Sequence, residues 1–301
     1  MNHFEKTWKA KDGQRTYCQY WEPETDIRAI VCLVHGLGEH SGRYAHVAEH
    51  LNRAGFALLS ADLRGHGKSD GMRGHIASSD IYLDHIDKLL DEARRQGGDL
   101  PLFLYGHSLG GIAALFYVLK HPPEWVEGPG VYPDPPVVFH PKHQPELRGV
   151  IGVVVTSPGL YTALENQLLK VFLAKTIGAV LPAARMPTGL DAEQISRDPE
   201  VVRRYKSDPL VHDQASAALA KYTLEMIPWI FEHAPEFSLP LLIMHGAADK
   251  IAYSWGSVEL AGEIGPMCTL HIWNDMYHEL HNEPEKDQVL DFMTAWMERQ
   301  L

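Results

Sequence analysis

Six short apolar runs punctuate the chain: AIVCLV (29–34), FALLSADL (56–63), PLFLYG (101–106), VIGVVV (150–155), PLLIMHG (240–246) and CTLHIW (268–273). Runs apolar on both faces suit strands that are covered by helices on either side, so each reads as a buried strand of a mostly parallel sheet. The stretches between them, YAHVAEHLNRAG, IYLDHIDKLLDEARRQ, GIAALFYVLKH, DQASAALAKYTLEMIPWIFEHA, WGSVELAGEI and DQVLDFMTAWMERQL, carry apolar residues at helical spacing. That alternation constrains the chain to an α/β fold with helices flanking the sheet. Two N-terminal stretches, HFEKTWKAK and QRTYCQYWEP, add an antiparallel hairpin at the sheet edge and bring the expected strand count to eight.

Two segments interrupt the alternation. Residues 121–146 hold eight of the 20 prolines, which excludes a long helix or a central strand and leaves an irregular loop. Because the loop links a helix back to a strand, topology sets it at the N-terminal edge of the sheet, opposite the end where open α/β sheets bind ligands. Residues 159–212 are too long for a simple connection and follow the C-terminal end of a strand, where a helical cap or lid belongs, inserted after the sixth strand. The expected organisation is a core of residues 1–158 and 213–301 with a cap of residues 159–212.

The sharpest local signal is Gly106-His107-Ser108-Leu109-Gly110, a G-x-S-x-G run between the strand PLFLY and the helical GIAALFYVLK. These flanks make it a nucleophile elbow: the serine sits in a strained turn with its hydroxyl pointing outward, and a side chain at either glycine would collide with neighbours. A serine hydroxyl needs a base, and the base needs an acid partner that sets its tautomer. Asp249 follows PLLIMHGAA at the end of its strand, and His278 follows CTLHIWNDMY in the loop before the last helix. The order Ser108, Asp249, His278 is that of α/β hydrolases rather than of chymotrypsin or subtilisin. His281 is a rival for the base, and Asp275 a weaker rival for the acid.

Negative charge developing on a carbonyl oxygen also needs donors. One is the backbone N–H of Leu109, at the N-terminus of the helix that follows the serine. The other is the amide of Leu37, in the glycine-flanked turn His35-Gly36-Leu37-Gly38 after the strand AIVCLV.

Charge and cysteine content narrow the partners. With 27 basic and 39 acidic residues the net charge is −12, which repels phosphate backbones, so no nucleic acid is expected as a partner. Cys18, Cys32 and Cys268 are too few and too scattered for a disulfide framework, and no H-E-x-x-H or other metal-ligand spacing occurs, so neither metal nor cofactor is expected. The N-terminal stretch has no leader-like apolar core, and no apolar run reaches the length of a membrane span, so the expected location is the cytoplasm.

Taken together, HGLGEHSGRY (35–44), DLRGHGKSDG (62–71), GHSLGG (106–111), YKSDPL (205–210), HGAADK (245–250) and YHELHNEP (277–284) resemble the monoacylglycerol lipase and lysophospholipase group of α/β-hydrolase serine hydrolases. The resemblance runs from about Val31 to the C-terminus, excluding the proline-rich loop. It implies the same three catalytic residues, Ser108, Asp249 and His278, and the same oxyanion amides, Leu37 and Leu109. It further implies that Glu39, Arg43, Tyr205 and His281 surround the glycerol end of a lipid monoester; an ion pair between Glu39 and Arg43, four residues apart, is compatible with that role. The run Asp62 to Asp70 reads as a structural loop. The activity implied is hydrolysis of a monoacylglycerol through an acyl-enzyme. A lysophospholipase or short-chain carboxylesterase with the same residues is the alternative, and a non-catalytic binding protein of the same fold a remote one. Within the cap, the stretch 164–182 has an apolar stripe wider than one packed helix face needs. It suits an acyl-chain lining, transient docking at a membrane surface that would make the protein peripheral there, or packing on another subunit, and the oligomeric state is left open.

Overall fold

A computed structural model of the chain describes residues 1–10, 12–121, 147–162 and 181–301. Most of the proline-rich segment and most of the 164–182 stretch lie outside the described residues. The main sheet has eight strands in the order β1 (Asn2–Lys9), β2 (Arg15–Glu22), β4 (Phe56–Ala61), β3 (Ala29–Val34), β5 (Leu102–His107), β6 (Val150–Thr156), β9 (Leu241–Gly246) and β10 (Cys268–Trp273). Only the β1–β2 and β2–β4 pairs are antiparallel; from β4 to β10 every neighbour is parallel. This is the expected edge hairpin joined to a parallel sheet.

Every residue of β3, β4, β5 and β9 is buried, because the two faces of the sheet are both covered. The pleat sends Ile30, Cys32 and Val34 into one core and Ala29, Val31 and Leu33 into the other. The first core is closed by α2 (Asp80–Gly97), α3 (Leu109–Lys120), α5 (Ala217–His233) and α6 (Ser254–Ile264), the second by α1 (Ala45–Arg53) and α7 (Lys286–Glu298). Helix α3 is buried all round from Leu109 to Leu119, which anchors the turn at its N-terminus.

Three expectations need correction. The run 268–273 is a strand, but only partly buried, since among the described residues β10 ends the sheet with β9 as its one neighbour. The run 56–63 leaves the sheet at Ala61, where the Asp62 carboxylate begins to hold the following loop by accepting from Ser41 N–H and Oγ and from Lys68 N–H. Residues 214–216, expected in a helix, form β8 (Gln214–Ser216) against β7 (Arg185–Pro187); the helix starts only at Ala217, where the Ser216 hydroxyl caps the Leu219 N–H. The excursion between β6 and β9 also contains α4 (Pro199–Ser207), which starts with Asp198 accepting from Glu200 N–H and proline in the first turn. No helix among the described residues is long and apolar enough to cross a membrane.

Candidate active site

Strand β5 delivers Ser108 into a turn with φ +53° and ψ −114° before α3 begins. Two glycines permit this. A β-carbon at Gly106 would stand 2.4 Å from the Gly110 carbonyl oxygen, and one at Gly110 would stand 2.0 Å from the Val34 carbonyl oxygen. Both obstacles are backbone, so neither position has room for a side chain.

The Ser108 hydroxyl lies 2.9 Å from His278 Nε2, and His278 Nδ1 lies 2.7 Å from Asp249 Oδ2. A carboxylate only accepts, so Nδ1 carries the proton and Nε2 is free to accept from the serine. The other oxygen of Asp249 accepts from Ile251 N–H (2.8 Å) and Ala252 N–H (3.0 Å). Burial alone would raise the Asp249 carboxyl, but the imidazoles of His278 and His245 outweigh it and hold the group well below the usual carboxylate range. The rivals are set aside by position. Asp275 is exposed in a turn. His281 stacks on Tyr44 at 4.7 Å with both ring nitrogens buried and without a hydrogen-bond partner among the described residues.

A cavity of about 460 Å³ opens over Ser108. Leu37 and Leu109 line it beside the serine, and the Leu109 amide belongs to the first turn of α3, which has no intrahelical acceptor. Its lining is mostly apolar, including Leu219, Leu224 and Ile227 of α5, Leu190 and Ile251; Glu39, Tyr205 and Glu279 also line it and all three touch Arg43.

The residues expected around a glycerol head group divide here. Glu39 and Tyr205 line the cavity, whereas Arg43 and His281 stand behind its wall. Glu39 is already engaged: Oε1 accepts from Gly36 N–H (2.7 Å) and the Tyr44 hydroxyl (2.8 Å), and Oε2 from Arg43 (2.8 Å). Arg43 also donates twice to Glu279, at 2.6 Å each, and its guanidinium lies 4.8 Å from the centre of the Tyr205 ring. Thus Arg43 bridges two buried carboxylates, tying the turn that holds Leu37 to the loop that holds His278. Sequence reasoning caught the Glu39–Arg43 pair but missed Glu279, the immediate neighbour of His278. It also missed His245, four residues before Asp249 in HGAAD. A buried charge that needs a partner was the available signal in both cases.

The sequence profile of the family described as serine aminopeptidase, S33, matches residues 25–130 and 137–285. An uncharacterized abhydrolase domain-containing protein of Dictyostelium discoideum is 34% identical over 97% of this chain, which spans only 28% of that longer protein. A monoacylglycerol lipase of Mycolicibacterium smegmatis is 32% identical, covering 97% of this chain and 96% of its own. Among solved structures, the Paleococcus ferrophilus monoacylglycerol lipase is similar with a TM-score of 0.79 at 32% identity, covering 95% of this chain and 99% of that one. The chain belongs to the serine aminopeptidase S33 family of α/β-hydrolase serine hydrolases and, within it, to the monoacylglycerol lipase and lysophospholipase group.

Proposed function

We propose that the protein hydrolyses monoacylglycerols to glycerol and a free fatty acid, with Ser108 as nucleophile, His278 as general base and acid, and Asp249 as the partner that orients His278. The observation carrying this reading is the hydrogen-bonded chain Ser108–His278–Asp249 opening into a mostly apolar cavity whose few polar side chains include Glu39, Tyr205 and Glu279. Ser108 Oγ attacks the ester carbonyl as His278 Nε2 takes its proton. The oxyanion meets the amides of Leu37 and Leu109, and the imidazolium returns the proton to the departing glycerol oxygen. Water, deprotonated by the same imidazole, then attacks the acyl-enzyme; the acyl carbon–Oγ bond breaks, the imidazolium returns the proton to Ser108 Oγ, and the fatty acid leaves.

A neutral head group fits better than a phosphate. Among the described residues lining the cavity, Glu39 and Glu279 are the carboxylates and there is no lysine or arginine, and Arg43, which touches both carboxylates, is already paired with them, so a phosphodiester would find no free cation there to pair with. The test is fatty-acid release from a long-chain monoacylglycerol beside lysophosphatidylcholine of the same acyl chain. The expected result is a kcat/KM for the monoacylglycerol at least about tenfold higher, the order of one unfavourable polar contact. Equal turnover of both would favour a lysophospholipase. Cleavage of a short nitrophenyl ester but of neither lipid would end the lipase reading.

Burial disfavours the His278 imidazolium, but Asp249, with Glu279 and Glu39 beyond it, outweighs burial and holds the ring above the ordinary value of 6.5. A general base must be neutral, so kcat/KM for a short nitrophenyl ester is expected to fall as pH drops through a value above 6.5 and to level off on the alkaline side. An acid limb below 6.5 would remove His278 from the role.

We also assign residues 159–212 to a cap. Leu181 and Met186 are 61% and 47% exposed and Met186 lines the cavity, which suits transient contact of the cap with a lipid surface. All three cysteines are free thiols, as a reducing cytoplasm would keep them.

A further inference from the structure

We propose that His245, held by Ser257, is a positioning residue for the reaction: it shares the carboxylate oxygen of Asp249 with His278 and thereby sets how strongly that carboxylate pulls on the catalytic imidazole. This rests on the reading of Ser108, His278 and Asp249 given above. His245 sits at the penultimate position of β9 and is wholly buried, as is Ser257 on α6. Its Nε2 lies 3.1 Å from Asp249 Oδ2 and 2.9 Å from the Ala252 carbonyl oxygen. Both partners only accept, so Nε2 carries the hydrogen and divides it between them. The remaining nitrogen, Nδ1, lies 2.7 Å from Ser257 Oγ. In a neutral ring that nitrogen is an acceptor, so the Ser257 hydroxyl donates to it and fixes the tautomer that presents N–H to Asp249.

Oδ2 of Asp249 therefore answers to two imidazoles, His278 at 2.7 Å and His245 at 3.1 Å. Each N–H draws negative charge from the same oxygen, so the hydrogen bond from His245 tempers the one to His278. Together with the amides of Ile251 and Ala252 on Oδ1, it also leaves the carboxylate no freedom to rotate away from His278. The relay runs in one direction of donation on the far side, from Ser257 to His245 to Asp249, and meets the donation from His278 at the same atom.

Replacing His245 by leucine removes this donor. Asp249 Oδ2 then concentrates its charge on His278, the imidazolium is favoured further, and the acid limb of kcat/KM moves to higher pH. The expected result is a limb raised by about half a unit, with kcat lowered about 10- to 100-fold, the scale seen when a buried orienting partner is removed, and KM within about twofold. His245→Gln puts an amide N–H near the place of Nε2 and is expected to return the limb to the wild-type position and recover most of kcat. Ser257→Ala unlocks the tautomer and is expected to shift the limb in the same direction by a smaller amount. The low-field proton resonance of the His278–Asp249 hydrogen bond supplies a readout independent of turnover, and it should move further downfield in His245→Leu but not in His245→Gln. If His245→Leu lowers only the melting temperature, with limb, kcat and resonance unchanged, His245 is packing and the proposal is wrong. If wild-type protein hydrolyses no ester at all, the catalytic reading fails, while the resonance still reports whether His245 acts on the His278–Asp249 pair.

Discussion

Ser108→Ala is expected to lower ester hydrolysis by about 10⁴-fold or more, the range measured when the nucleophile of a hydrogen-bonded Ser-His-Asp set is removed. The variant keeps the cavity, the oxyanion amides and the His278–Asp249 bond, and it loses only the atom that attacks. Alanine also accepts the Ser108 backbone no worse than serine does, since both carry a β-carbon at φ +53°. The fold should therefore survive, with a melting temperature within a few degrees of wild type. Two measurements check this: fatty-acid release at matched substrate, and labelling by a fluorophosphonate, which needs an activated serine. Residual activity above about one percent of wild type, far over the remainder that binding and oxyanion donors sustain, would assign the chemistry to another residue.

The largest stability effect is expected at Arg43. Its side chain is 10% exposed, and those of Glu39 and Glu279 are 3% and 4% exposed. Arg43→Met removes the cation and leaves two buried carboxylates facing each other, a situation that destabilises proteins by about 3–5 kcal/mol. One carboxyl will then bind a proton in the folded state at a pH where the unfolded chain does not. A folded-state pKa raised in this way contributes stability only below it, so the deficit must grow as pH rises; burial and the nearness of Glu279 already push the Glu39 carboxyl upward in the intact protein. Urea midpoints at pH 5 and pH 8 should show a larger loss at pH 8. The triple variant Glu39→Gln, Arg43→Met, Glu279→Gln should regain most of the loss, because no uncompensated charge remains. An Arg43→Met protein as stable as wild type at both values would mean that the three groups are solvated rather than buried.

Most of the frame was legible because it depends on local patterns. Continuous apolar runs such as AIVCLV locate strands buried on both faces, and the glycines of GHSLG mark a turn whose backbone neighbours leave no room for side chains. Ser108, Asp249 and His278 were readable as a set because all three follow strands, and the C-terminal ends of parallel strands lie together whatever the sequence separation. What escaped notice depends on contacts between distant segments. That CTLHIW ends the sheet follows from strand order, which periodicity does not encode. Ser216 as a helix cap competes with a helical pattern running through it, and only pairing with Arg185–Pro187 decides the outcome. The bond of Arg43 to Glu279 spans 236 residues, and the acceptance by Glu39 from Gly36, Tyr44 and Arg43 depends on how the turn after β3 folds back on itself.

The backbone at Ser108 bears on how such a scaffold can diversify. A residue held at φ +53° and ψ −114° is strained by about 1–3 kcal/mol, and a branched β-carbon would add crowding where the turn has none to spare. Cysteine and aspartate each attach a single heavy atom to Cβ, as serine does, so a lineage can exchange an alkoxide nucleophile for a thiolate or a carboxylate in one residue change while the turn stays as it is. Threonine brings a second substituent and is shut out. The elbow thus filters which nucleophiles are within one inheritable step, independently of how the rest of the cavity is shaped.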